Sequence, residues 1–316
     1  MARAFVFPGQ GSQSVGMGKV LAEQFRSARD VFDEVDEALG EKLSSVIWEG
    51  HKETLALTRN TQPALFAVSM AVIKVFEQEF GIRLTDAVRY VAGHSLGEYS
   101  ALTAAGAFSI SDAASLLRVR GEAMQKAVPV GEGAMIALLG VGIDIADKIA
   151  CKAAHVGICE IANDNDPTQV VLSGTKAAID RVADLSKSYG VRRAVVLPVS
   201  APFHCSLMQP AARVMAEKLS NVKIRKPVIP VVTNVTATPV SDPDKIRLCL
   251  VEQVTDTVQW RQCIMTMTTA GINEFFEIGV GKILCGLIGR IDKSVKSAAC
   301  ETSQDISALA TLISAE

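Results

Sequence analysis

The chain has 316 residues, of which 49% are hydrophobic and 21% are charged, a composition typical of a globular protein with one large core or two unequal domains. Its formal net charge of -2 provides no basic surface for nucleic acid, and each apolar run is interrupted before it reaches the length of a membrane span. The first ten residues lack a secretory-signal pattern, and the seven cysteines contain no C-x-x-C pair, which argues against a disulfide framework and a zinc site. We therefore expect a cytoplasmic protein with no nucleic-acid or membrane partner.

Short β-rich runs alternate with amphipathic helical patterns along most of the chain, which predicts an α/β fold with a mainly parallel sheet. The predicted strands of this sheet are RAFVF (3–7), RYVAG (89–93), VIPVVTN (228–234), EFFEIG (274–279) and KSAAC (296–300). The predicted helices lie at about 62–80, 96–106, 111–127, 205–220, 243–255, 260–270 and 282–290.

The stretch from about 128 to 198 follows another order, β-α-β-β-α-β, which is that of a ferredoxin-like unit. Its successive elements are GAMIALLGV, DIADKIACKAA, ICEIAND, TQVVLSG, TKAAIDRVADLSKSYG and RRAVVLPV. We predict a small ferredoxin-like domain at 128–198, inserted into a larger α/β domain formed by 1–127 and 199–316. The active site is expected in the cleft between the two.

A glycine-rich loop, PGQGSQSVGMG, follows the first predicted strand. Ser14 stands where the dinucleotide-binding fingerprint requires Gly or Ala, and Met17 stands where a P-loop requires Lys, so neither nucleotide motif is complete. The loop is either a plain turn or the source of a backbone N–H, at Gln10, for a developing oxyanion.

The run VAGHSLGEYSAL places Ser95 between Gly93 and Gly97, where a strand is predicted to turn sharply into a helix. This is the geometry of a nucleophilic serine at the tip of a turn, and the N–H of Leu96 would be the second oxyanion donor. The same pattern also occurs by chance in tight turns that have no catalytic role.

Arg120 lies on the apolar stripe of the helix SDAASLLRVRGEAMQ, whereas Arg118 is expected on another face. Ser111 is the predicted N-cap of this helix. A guanidinium on the buried side requires an anion, which is either a protein carboxylate or the carboxylate of a substrate bound through two parallel hydrogen bonds.

The four histidines leave His204 as the candidate base for Ser95. His51 lies in a polar loop, His155 lies within the small domain, and the side chain of His94 should diverge from its neighbour Ser95 at a sharp turn. His204 lies between the end of a strand and the start of a helix, where parallel-sheet enzymes place site residues. It is either the base or a helix-terminal residue bonded to a carbonyl. No acidic residue near it in the sequence stands out as an orienting partner, and a backbone carbonyl is the alternative.

The chain resembles malonyl-CoA:acyl carrier protein transacylases almost from end to end. The motifs that carry this resemblance are FPGQGSQ (7–13), GHSLGEYSAL (93–102), RGEAMQ (120–125), NDNDPTQVVLSG (163–174), FHCSLM (203–208), VTNVTA (232–237), LVEQVTDTVQW (250–260) and EIGVGKIL (277–284). The resemblance implies an α/β-hydrolase-like core with a ferredoxin-like insert.

The resemblance also implies a role for each candidate residue: Ser95 bears the acyl group, His204 is its base, and Arg120 binds the malonyl carboxylate. Gln10 and Leu96 supply the oxyanion N–H groups. The remaining implied residues are Gln253, whose main-chain carbonyl orients the histidine, and Phe203, Asn163 and Asn165 in the substrate pocket, with Phe203 disfavouring a substituent on the malonyl α-carbon.

The predicted reaction is a ping-pong transfer of malonyl from malonyl-CoA to acyl carrier protein in fatty-acid synthesis, by a protein expected to be a monomer. No metal or resident cofactor is expected, because CoA enters and leaves as part of the substrate. The alternatives are a serine thioesterase or hydrolase, an acyltransferase of a polyketide pathway, and a non-catalytic module that binds acyl carrier protein.

Overall fold

A computed structural model describes residues 2–315, so that residues 1 and 316, the outer ends of the predicted large domain, lie outside the described part. The strands within 2–315 are β1 (Arg3–Phe7), β2 (Tyr90–Gly93), β3 (Gly133–Leu139), β4 (Cys159–Asp166), β5 (Gln169–Thr175), β6 (Arg193–Val196), β7 (Val231–Val232), β8 (Pro239–Val240), β9 (Glu274–Ile278) and β10 (Lys296–Cys300). They form a six-stranded sheet and a separate four-stranded sheet.

Helices cover both faces of the larger sheet and one face of the smaller one. They are α1 (Lys19–Gln24), α2 (Arg26–Leu39), α3 (Leu43–Glu49), α4 (Lys52–Ala56), α5 (Thr58–Phe80), α6 (Leu84–Ala87), α7 (Gly97–Ala104), α8 (Ile110–Lys126), α9 (Ile143–Ala153), α10 (Lys176–Ser186), α11 (Gln209–Ser220), α12 (Pro243–Glu252), α13 (Trp260–Thr269), α14 (Ile283–Ile291) and α15 (Ser303–Ser314). Within residues 2–315 no helix combines the length and the apolar character needed to cross a bilayer.

The six-stranded sheet has the order β10-β9-β1-β2-β7-β8, and all its pairs are parallel except β7 with β8. This confirms the predicted α/β fold with a mainly parallel sheet. Strand β1 is buried on both faces, as expected for a central strand between layers of helices. The carboxyl ends of β1 and β2 lie side by side, with Phe7 paired to Gly93, so the loops that follow both strands meet at one edge.

The strand predicted at 228–234 is only two residues long. Pro230 has no N–H to donate to a ladder, although its carbonyl still accepts a bond from Val91. Regular pairing with β2 therefore begins at Val231.

The four-stranded sheet has the order β4-β5-β3-β6 and is antiparallel throughout, which confirms the ferredoxin-like order predicted within 128–198. Its strand β4 is tied to the larger unit by backbone bonds between Ala162, Asp164 and Val258. Arg261 of α13 and Arg290 of α14 add ion pairs to the carboxylates of β4. The division at residues 128 and 198 itself stays a prediction.

Two of the predicted helices differ in detail from those in the structure. Helix α8 begins at Ile110 and its N-cap is Ser109, whose hydroxyl accepts from the N–H of Asp112. The predicted cap, Ser111, instead donates its hydroxyl to Glu34 of α2. Helix α5 begins one turn earlier than expected, because Pro63 lies inside its N-terminal part rather than at its start.

Candidate active site

Ser95 lies at the tip of the turn between β2 and α7, with a backbone φ of 54°, a conformation that L residues other than Gly, Asn and Asp rarely adopt. Both flanking glycines are required by close backbone contacts. A Cβ on Gly93 would lie 1.9 Å from the carbonyl carbon of Gly97, and a Cβ on Gly97 would lie 2.3 Å from the carbonyl oxygen of Phe7. The turn is thus held tightly against the end of β1 and presents the serine hydroxyl to the cleft.

Replacing Gly93 with Ala is therefore expected to distort this turn. A backbone clash of this size cannot be relieved by rotating a side chain, so we expect the free energy of unfolding to fall by about 3 kcal/mol or more. Urea denaturation measures it, and Gly289→Ala is the matched control, since a Cβ at this exposed helical position meets no atom within 4 Å. Equal stability of the two variants would contradict this account of the turn.

His204 also has a positive φ, of 57°, and its ring lies directly against Ser95. Nε2 is 2.8 Å from Ser95 Oγ, and Nδ1 is 2.8 Å from the main-chain oxygen of Gln253. A carbonyl oxygen only accepts hydrogen bonds, so Nδ1 must carry the hydrogen and Nε2 of the neutral ring is the acceptor for the serine hydroxyl. The tautomer needed for a base is therefore fixed by a backbone group, without a carboxylate.

Burial, followed by the positive charge of Arg120, lowers the pKa of His204 to about 3. The ring is then neutral, and able to accept a proton, far below the pH at which an ordinary histidine is protonated. We expect kcat/KM for malonyl transfer to stay constant from about pH 8 down to about pH 5, because this ratio reports the ionisation of the free enzyme. A pH–rate profile measures this, and a loss of half the rate near the ordinary histidine pKa of about 6.5 would contradict it.

The other three histidines do not contact Ser95. His94 lines the cleft, but its Nε2 is 2.9 Å from Asn165 Oδ1 and its ring packs against Trp260. His51 precedes α4 and is exposed, as is His155 after α9. These positions agree with the sequence analysis, which excluded the same three histidines as the base for Ser95.

Arg120 is 1% exposed and its guanidinium reaches the hydroxyl of Ser95. Its NH2 group donates to Ser95 Oγ at 3.1 Å and to Gln253 Oε1 at 2.8 Å, while its NH1 group donates to Gln62 Oε1 at 2.8 Å. Its Nε has no hydrogen-bond partner. Among residues 2–315 no carboxylate lies within ion-pair distance of this guanidinium, which is held by amides and a hydroxyl, by the ring of Tyr99 at 5.8 Å and by the more distant charge of Glu98.

Arg118, two positions earlier, makes a contrasting set of contacts. It is largely buried as well, but it donates to Asn60 Oδ1 and forms an ion pair with Glu41. Helix α8 packs closely on the start of α5, where a Cβ on Gly121 would lie 2.7 Å from the carbonyl oxygen of Thr58. This packing places both arginines of α8 beside α5. Only Arg120 faces the cleft.

The backbone N–H groups of Gln10 and Leu96 have no protein acceptor within the described part of the chain. Leu96 directly follows Ser95 at the N-terminus of α7, and Gln10 lies in the loop after β1. Both residues line the same cleft as the serine. Two free N–H groups on adjoining loops next to a serine hydroxyl are suited to bind an oxyanion.

The cleft has a cavity volume of about 100 Å³ and is lined from both sheets and from the connection between them. Its apolar wall consists of Met124, Met135, Leu197, Val199 and Phe203. Asn163 on β4 lines the opposite side, whereas Asn165 lies behind His94 and reaches the cleft only through that ring. This is a mainly apolar pocket with its polar groups gathered around one serine, as small-molecule sites usually are.

Three further polar residues organise the site and were not predicted: Gln62, Asn234 and Glu98. Asn234 accepts from the N–H of Ser95 through Oδ1 at 2.8 Å and donates to the carbonyl of Gly93 at 2.7 Å. Asn234 and Glu98 lie inside the motifs VTNVTA and GHSLGEYSAL, so their position in these motifs was the available signal. Gln62 lies outside the quoted motifs.

Comparison with known proteins identifies the family of the chain. The model of the acyl transferase domain family matches residues 4–299. A malonyl CoA-acyl carrier protein transacylase of Bacillus subtilis is 44% identical over 304 residues, which cover 96% of this chain and 94% of the relative.

Solved structures give the same result. An acyl-carrier-protein S-malonyltransferase from Bartonella henselae is 52% identical with a TM-score of 0.97, covering 99% of this chain and 100% of its own. A malonyl-transacylase in complex with a type II polyketide acyl-carrier protein is 38% identical with a TM-score of 0.95, covering 99% and 100%. The chain belongs to the malonyl-CoA:acyl carrier protein transacylase family.

Proposed function

We propose that this protein transfers the malonyl group of malonyl-CoA to the phosphopantetheine thiol of acyl carrier protein through a malonyl ester of Ser95. The observation that carries this function is the guanidinium of Arg120, which is buried, lacks a carboxylate partner within the described residues, and lies 3.1 Å from the nucleophilic oxygen. A buried cation in this position is suited to an anionic acyl group.

The length of the malonyl group fits this distance. One methylene separates its thioester carbonyl from its free carboxylate, so a carboxylate on Arg120 leaves the carbonyl carbon beside Ser95 Oγ. Nε has no partner and NH1 uses one of its two hydrogens on Gln62, so the guanidinium keeps donors for a carboxylate. Acetyl has no such anchor, and a longer diacid would place its carbonyl away from the serine.

In the first half-reaction Ser95 Oγ attacks the thioester carbon while its proton passes to His204 Nε2. The N–H groups of Gln10 and Leu96 stabilise the negative charge on the carbonyl oxygen. Collapse of the tetrahedral intermediate breaks the carbon–sulfur bond, and the departing CoA sulfur takes the proton from His204. The malonyl-serine ester remains.

In the second half-reaction the thiol of phosphopantetheine gives its proton to His204 Nε2 and its sulfur attacks the ester carbon. The carbon–oxygen bond then breaks, and Ser95 Oγ recovers the proton. Both half-reactions use the same base and the same oxyanion donors, which is the requirement for ping-pong exchange.

Fatty-acid synthesis is the pathway we propose. The relative that is bound to a type II polyketide acyl-carrier protein makes polyketide synthesis the second candidate. Comparing kcat/KM for holo acyl carrier proteins of the two kinds distinguishes them, and a higher value for the polyketide carrier would reverse the assignment.

We also propose that the protein acts as a monomer in the cytoplasm. Its seven cysteines are free thiols, which agrees with a reducing compartment. Size-exclusion chromatography with light scattering tests the monomer.

Transferase and hydrolase chemistry are separated by a chase experiment. The acyl-enzyme made with malonyl-CoA is freed of small molecules and divided between buffer and holo acyl carrier protein. We expect malonyl to appear on the carrier and to remain on the enzyme in buffer. Rapid release of free malonate in buffer would support a thioesterase, and absence of any acyl-enzyme would support a non-catalytic binding module.

The same acylation assay with methylmalonyl-CoA tests the proposed role of Phe203. This side chain is 7% exposed and lines the cleft beside His204. We propose that it occupies the space that an α-substituent would need, so that Phe203→Ser admits methylmalonyl better than the unmodified chain does.

A further inference from the structure

Glu98 is a buried carboxylate that none of the steps above uses. It lies in the first turn of α7 with no exposed surface. Its Oε2 accepts from the N–H of Asn234 at 3.0 Å and from Gln253 Nε2 at 2.8 Å, whereas its Oε1 has no partner. Within residues 2–315 no cationic side chain lies within ion-pair distance of it, although the more distant charge of Arg120 favours its ionised form. A buried acid without a contacting cation is costly, and the hydrogen bonds of this one come from two donors.

Both donors belong to residues that hold the reacting groups. Asn234 fixes the N–H of Ser95. The main chain of Gln253 fixes the ring of His204, and its side-chain oxygen accepts from Arg120. Glu98 itself contacts none of the reacting atoms.

The side chain of Gln253 can serve Arg120 only in one orientation. An amide has a donor end and an acceptor end, and a flip would turn its NH₂ group toward the guanidinium, which has only donors. In the observed orientation the NH₂ group has three acceptors, Glu98 Oε2 at 2.8 Å, the carbonyl of Ser95 at 3.0 Å and Asn234 Oδ1 at 3.3 Å. The bond to the acid is the shortest of the three.

We propose that Glu98 is a positioning residue whose Oε2 fixes the amide of Gln253, and thereby the guanidinium of Arg120, in the orientation that binds the malonyl carboxylate. This inference rests on the proposed function of Arg120.

The role requires an acceptor at the position of Oε2 and not a negative charge. Burial raises the pKa of Glu98 to about 7, so that the acid gains a proton readily. That proton would be carried by Oε1, the oxygen without a partner, and Oε2 would keep both of its hydrogen bonds.

Two substitutions separate position from charge. Glu98→Gln keeps an oxygen at the position of Oε2 and removes the charge, whereas Glu98→Asp keeps the charge and withdraws the acceptor by one methylene. The readout is the ratio of kcat/KM for malonyl-CoA to that for acetyl-CoA, because general damage to the fold lowers both values. We expect the ratio to change less than about threefold in Glu98→Gln and to fall about tenfold in Glu98→Asp, the effect of one hydrogen bond to a charged group.

A third variant tests whether the effect passes through Gln253. Gln253→Leu keeps the main-chain carbonyl that holds His204 and removes the amide, so it should lower the ratio by itself. Adding Glu98→Asp to it should lower the ratio no further.

The proposal is overturned if Glu98→Asp leaves the ratio unchanged, if Glu98→Gln is the more impaired variant, or if the two changes multiply in the double variant. Far-ultraviolet circular dichroism and urea denaturation report whether each variant folds. If Glu98→Asp does not fold, Glu98→Gln and Gln253→Leu still decide the outcome. Failure of the proposed function would differ, because the unmodified chain would then form no malonyl ester at Ser95.

Discussion

His204→Ala is expected to slow malonylation of Ser95 by about 10⁴-fold or more, comparable with the loss of a base from other serine enzymes. The serine hydroxyl is a weak nucleophile until a base removes its proton, and Nε2 of His204 is the ring nitrogen at hydrogen-bond distance from it. Rapid-quench measurement of acyl-enzyme formation at saturating malonyl-CoA gives the rate of this step directly.

The matched control is His51→Ala, which removes an exposed histidine outside the cleft and should acylate at the normal rate. His94→Ala is a second comparison, because it deletes the imidazole nearest to Ser95 in the sequence. An acylation rate in His204→Ala within tenfold of normal would assign the base to another group.

Arg120→Ala is expected to lower kcat/KM for malonyl-CoA while sparing or raising that for acetyl-CoA. Removing one partner of a buried charge pair costs about 2–5 kcal/mol, which is roughly 30- to 5,000-fold in kcat/KM. Steady-state transfer to acyl carrier protein, with both acyl-CoA substrates, measures the change in preference.

Arg120→Lys refines this test, because the ammonium keeps the charge but not the planar set of donors that binds a carboxylate through two parallel bonds. We expect its preference for malonyl to lie between those of the unmodified chain and the Ala variant. Equal losses for malonyl and acetyl substrates in Arg120→Ala would remove the carboxylate-binding role and leave Arg120 with a structural one.

The sequence predicted the parts of this site that depend on local chemistry. Gly93 is demanded by a backbone contact within the five-residue turn around Ser95, although Gly97 is demanded by the more distant carbonyl of Phe7. The loop with Gln10 follows directly from β1. The small antiparallel sheet was predicted because apolar residues recur regularly along its strands and helices. His204 was likewise singled out because it lies between the end of a predicted strand and the start of a predicted helix.

The parts that were not predicted depend on contacts between distant segments. Glu98 and Gln253 are separated by 155 positions, and nothing near either residue shows that one orients the other. The helices α1, α3, α4 and α6 were not assigned because they have only four to seven residues each, too few for a clear period. Helices α2 and α15, of 14 and 12 residues, are long enough to show one and were missed. The cap of α8 was misplaced because both Ser109 and Ser111 are suitable capping residues. In the structure Ser111 donates its hydroxyl to Glu34 of another helix, and Ser109 is the cap.

The chemistry described here requires that the malonyl group pass through the oxygen of Ser95. Intact-protein mass spectrometry after brief incubation with malonyl-CoA, followed by peptide mapping, tests this directly. We predict one malonyl group per chain, located on the peptide that contains Ser95 and lost on addition of holo acyl carrier protein. A chain that transfers malonyl without a trapped adduct, or that carries it on another residue, would contradict the account.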